Sequence, residues 1–118
     1  MNERQSRAPA GVVGELIEAW LAFDHRLSSG SGFDEEGYGR LRAALRACAQ
    51  AWSADDVIPR AGASVLVDVF PATEANASLY AGETADRVMN AAYALHELVG
   101  DCVVPRRPHH AAPDAGQA

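Results

Sequence analysis

From Val13 onward the apolar residues recur at intervals of three and four. Val13, Leu16, Ile17, Trp20, Phe23 and Leu27 make one stripe over four turns, and Glu15, Glu18 and Arg26 lie off it; this is the period of an amphipathic helix. Ser28 to Gly32, reading Ser-Ser-Gly-Ser-Gly, breaks the pattern with two glycines that are free to take left-handed angles. The stripe resumes at Tyr38, Leu41, Leu45, Cys48 and Trp52, which is heptad spacing held for two heptads. Asp34 stands where an N-cap belongs, and Glu35 and Glu36 follow at the positive end of the helix dipole. Ser53 to Asp56 closes this second helix in a polar loop.

The stretch Ala61 to Phe70 carries one charge, Asp68, and Pro71 follows it at once. Val65, Val67 and Val69 alternate and are β-branched, which suits a strand, but no second run in the chain reads as β to pair with it. Pro59 suits a first helical turn, and Leu66, Val69, Phe70 and Thr73 keep helical spacing. The spacing predicts a short third helix, apolar nearly all round and surrounded by its neighbours, that Pro71 either ends or kinks, in the second case with a further turn or two through Thr73 to Leu79. From Glu83 to about Val103 a fourth stripe runs through Ala85, Val88, Met89, Ala92, Leu95, Val99 and Cys102. The expected fold is therefore all-α: a compact antiparallel (up-down) four-helix bundle with a short, buried third helix. The bundle domain covers 11–103, between a flexible polar tail at 1–10 and a disordered Pro- and His-containing tail at 104–118.

A chain of 118 residues makes one domain able to build a core without metal or disulfide staples. All ten basic residues are Arg, a bias expected of a GC-rich bacterial genome. The absence of Lys excludes Schiff-base and Walker-type chemistry. A net charge of -6 argues against a nucleic-acid partner, because no basic stripe is present to replace counterions on a phosphate backbone. No segment approaches the roughly 20 apolar residues of a membrane span, and none reads as a signal peptide. The expected location is cytoplasmic.

Candidate chemistry is sparse. Asp68, inside an apolar run, either faces solvent on one helix edge, pairs with Arg42 or Arg46, or acts as a functional acid with a raised pKa. Arg42 and Arg46, one turn apart, are expected on a solvated face, with a carboxylate or phosphate grip as the alternative. Neither His-Glu-x-x-His nor the Glu-x-x-His of di-iron bundles occurs, and His109-His110 alone is a weak metal site. No metal or cofactor is expected. Cys48 and Cys102, 54 positions apart, read as buried thiols, with a disulfide open if their helices are neighbours.

No nucleophile, base and orienting group can be assembled from local spacing, so no catalytic residue is expected. The first expectation is a non-catalytic helical interaction module, a homodimer or the binder of another protein, with Trp20, Tyr38 and Trp52 as interface anchors. The alternative is a carrier or sensor whose apolar pocket is lined by Trp20, Tyr38, Trp52, Phe70 and Tyr93, with Asp68 or an Arg as polar anchor.

Overall fold

The first stripe forms helix α1 (Ala10–Ser28), and Leu16, Phe23 and Leu27 on it are fully buried. The heptad stripe forms α2 (Glu35–Ala51), the ambiguous valine-rich segment forms α3 (Arg60–Ala77), and the last stripe forms α4 (Gly82–Val103). The computed structural model describes residues 10–105, and no strand occurs among them. The two sequence-predicted tails, including His109 and His110, lie outside this range apart from Ala10, Val104 and Pro105.

Helix α1 packs on α2 and α3, and α4 packs on the same two; α2 does not pack on α3, nor α1 on α4. Around the bundle the order is therefore α1, α2, α4, α3, and residues 52–59 carry the chain diagonally from α2 to α3. Side-chain contacts give the directions. The Cys48 thiol near the end of α2 reaches the Val12 carbonyl at the start of α1, at 3.6 Å, so that hairpin is antiparallel. Phe70, midway along α3, meets Tyr93 and His96, midway along α4. Between hairpins, Cys102 donates to the Leu45 carbonyl at 3.3 Å, joining the C-terminal halves of α4 and α2. Asn76 donates to the Asp24 carboxylate at 3.0 Å, joining the C-terminal ends of α3 and α1. Consecutive helices thus alternate up and down, while the pairs that meet across the two hairpins run parallel.

Two features of α3 differ from the sequence expectation. It is 18 residues long against 17 for α2, because it continues through Pro71 for nearly two turns. Pro71 removes the N–H that would bond the Val67 carbonyl, but Pro71 and Val67 are both exposed, so the loss falls where water replaces the bond. Nor is α3 surrounded. Val65, Leu66, Val69, Thr73 and Ala77 are buried on one side, while Val67, Asp68 and Glu74 are exposed on the other. Four helices in a ring leave no central place, so each is a corner with one face inward.

The core is the meeting of four stripes. Leu16, Phe23, Leu41, Leu45, Val69 and Leu95 are all fully buried, each contributing roughly 1.5–3 kcal/mol by removal from water. The ends are pinned by specific contacts. At one end the Tyr80 hydroxyl donates to the Leu27 carbonyl at 2.8 Å and accepts the Gly32 N–H at 3.1 Å, tying the α3–α4 corner to the α1–α2 loop. Gly30 and Gly32 have φ of 77° and 101°, where a side chain would strain the backbone. Asp34 occupies the N-cap position of α2, although its carboxylate makes no capping hydrogen bond.

Candidate functional site

The structure scatters the residues that sequence reasoning gathered into one pocket. Trp20 is buried in the core, and Trp52 caps α2 at the end of the bundle opposite Tyr80. Tyr38 packs with Phe23 and Phe33 near the α1–α2 loop, its ring centroid 6.0 and 5.3 Å from theirs. Arg42 lies over the Tyr38 ring at 5.0 Å, and Arg46 is exposed. Asp68 is exposed, and its helix stands diagonally across from α2, which places it away from both arginines. Among the described residues no salt bridge reaches it. The heptad residues of α2 from Leu41 to Trp52 are buried within this one chain, so that stripe offers no free face.

Of the eight residues singled out, two pairs meet through an aromatic ring: Arg42 with Tyr38, and Phe70 with Tyr93. The second pair marks a continuous surface. The Phe70 ring lies 5.6 Å from Tyr93 and 5.0 Å from His96. On α3, Val67 and Ala63 follow Phe70 at steps of three and four toward the N-terminus, on the same side. On α4, Met89, Tyr93, His96, Gly100 and Val103 recur at four, three, four and three. The two rows run antiparallel beside each other and make an apolar seam along the outer α3–α4 groove. Val67 is 69% exposed, Tyr93 57% and Val103 51%. Three large apolar side chains along one groove with this exposure are more than scattered surface residues.

A second concavity, of about 530 Å³, lies at the end of the bundle among Trp52, Asp55, Asp56, Ile58, Cys102 and Val104. It brings no reactive group. Burial pushes the Cys102 thiol up to about 12, with Cys48 and Asp101 adding to the rise. Burial alone pushes Cys48 up to about 11. Both thiols are free and donate to carbonyls rather than bridging each other. Thiols held this far toward the neutral form are poor nucleophiles at neutral pH. Among the described residues no three His, Cys, Asp or Glu side chains gather to hold a metal, and no helix is long and apolar enough to cross a membrane.

Comparison with known proteins adds no family. The chain matches no protein-family model, no curated protein and no solved structure.

The seam had a signal in the sequence. Beside the core stripe of α4, and sharing Met89 with it, runs a second heptad-spaced row, Met89, Tyr93, His96, Gly100 and Val103, hidden because its members differ in type. Tyr80 was missed for another reason: a hydroxyl that bridges residues 27 and 32 depends on where the corners land, which no local spacing reveals.

Proposed function

We propose that this chain is a non-catalytic helical interaction module whose docking face is the α3–α4 seam. One observation supports this above the others: Val67 and Tyr93, flanking the half-buried Phe70, remain largely exposed on a face that no element among the described residues covers. Aromatic and aliphatic anchors in a line along a two-helix groove suit a helix-in-groove partner, which seats side chains at steps of three and four. A pocket-type carrier has less support, since its intended lining is divided between the core, the two ends and the outer face.

The test uses a fluorescein-labelled, 18-residue amphipathic helical peptide with a Leu stripe and neutral Gln flanks, matched to the length of α3. Anisotropy should rise on titration with the full chain. V67E/Y93E, which alters only exposed positions, should abolish the rise while leaving the circular dichroism of the fold unchanged. Equal binding by the variant would remove the seam from the account.

A further inference from the structure

The seam has charged borders, and their signs are unequal. Glu74, four residues past Phe70, and Asp86, three before Met89, close one end of the seam, and Glu97 lies along its α4 edge; all three are exposed. Among the described residues the one basic residue on this border is Arg60, at the first position of α3. Arg87, the next nearest base, is turned to the other side of α4, where it pairs with Glu35 and lies over the Phe33 ring at 4.7 Å. Among the described residues, three carboxylates against one guanidinium thus face whatever lies in the groove.

Resting on the docking reading above, we infer that the occupant is an amphipathic helix of another protein, about four turns long, with Lys or Arg flanking its apolar stripe. The length follows from the seam, since Met89 to Val103 spans roughly 21 Å at 1.5 Å per residue. The helical conformation follows from the backbone. Helices α3 and α4 have no free main-chain donors along their sides, so an extended peptide against this apolar surface would leave its own N–H and C=O groups unpaired, whereas a helix satisfies them internally. The charge follows from the border, because basic flanks would meet Glu74, Asp86 and Glu97.

A second copy of this chain fits less well. A twofold pairing through the seam sets the same three carboxylates against their own counterparts, and like charges across an interface oppose association.

The decisive experiment displays an mRNA-encoded library of 18-residue peptides with a fixed Leu stripe and flanking positions drawn from Lys, Glu, Gln and Ser. Selection is on the full chain, with V67E/Y93E used to discard peptides that bind elsewhere. Lys should exceed Glu at the flanks by about threefold per position, the factor expected of an exposed ion pair. On an E74K/D86K/E97K chain that preference should vanish or reverse. Glu at parity with Lys, or above it, overturns the basic partner and leaves docking at the seam intact. No seam-dependent enrichment at all overturns the docking face itself. A dimer in sedimentation equilibrium that V67E/Y93E dissolves gives the groove to a second copy and also overturns the inference.

Discussion

The indole of Trp52 lies directly on Gly62, so closely that a Cβ at position 62 would fall 2.7 Å from the ring edge. Trp52 caps α2, and Gly62 stands in the first turn of α3, although those two helices do not otherwise pack. The contact holds the diagonal crossing in place. Gly62→Ala forces the indole or the helix to shift and should destabilise by about 1–3 kcal/mol, as overpacking does. Gly100→Ala is the control: nothing lies within 4 Å of its added carbon, and a helical Gly→Ala change should stabilise by about 0.5–1 kcal/mol. Urea denaturation of both variants decides; a destabilising Gly100→Ala or a neutral Gly62→Ala would contradict the packing described.

Tyr80→Phe removes a hydroxyl that serves two backbone groups at once. The Gly32 N–H loses its acceptor, and the Leu27 carbonyl loses one of two donors and keeps the Gly30 N–H, for an expected loss of about 1–3 kcal/mol. Amide exchange at Gly32 should quicken along with it. An unchanged exchange rate at Gly32 would argue against the bridge.

Most of the architecture was legible in the chain, and for a physical reason. Burial requires a stripe, and the stripes of α1, α2 and α4 have helical period with distinct breaks at Ser28–Gly32 and Ser53–Asp56. What spacing does not encode is which helices touch. Helix α3 looked central because Ala61–Phe70 is so apolar, yet Val67 simply faces water beside an exposed Pro71. Among the three readings open for Asp68, spacing could not choose; its side chain is exposed, and α2 with Arg42 and Arg46 stands diagonally from α3. The candidate site was half visible: Phe70 and Tyr93 are both among the five aromatic residues the sequence offers as a pocket lining, but spacing does not show that they meet on an outer seam.

Thr73 is fully buried, and its Oγ1 has no hydrogen-bond partner among the described residues. Replacing the hydroxyl with a methyl group of similar shape removes an unsatisfied polar atom. Thr73→Val should therefore be neutral or stabilise by up to ~1 kcal/mol, read from the urea midpoint. A clear loss of stability would mean that the hydroxyl is satisfied in solution.

The two thiols set an alkaline limit. Their folded pKa values, about 11 for Cys48 and about 12 for Cys102, lie above the ordinary 9.0. Above pH 9 the unfolded chain therefore gives up protons that the folded chain keeps, so stability from these groups is intact below pH 9 and is lost as pH rises toward 11–12. The fall measured by urea denaturation from pH 8.5 to 10.5 should shrink in C48A/C102A. An identical fall in variant and parent would assign the alkaline loss to other groups.

The docking face is tested most directly by amide chemical-shift mapping on the full ¹⁵N-labelled chain, titrated with an 18-residue Leu-stripe peptide flanked by Lys. The account predicts perturbations that trace Val67, Phe70, Tyr93, His96, Gly100 and Val103 and leave α1 unmoved. Perturbations centred on the groove at Trp52, Asp55 and Ile58, or on the outer face of α1 around Leu21, would contradict it.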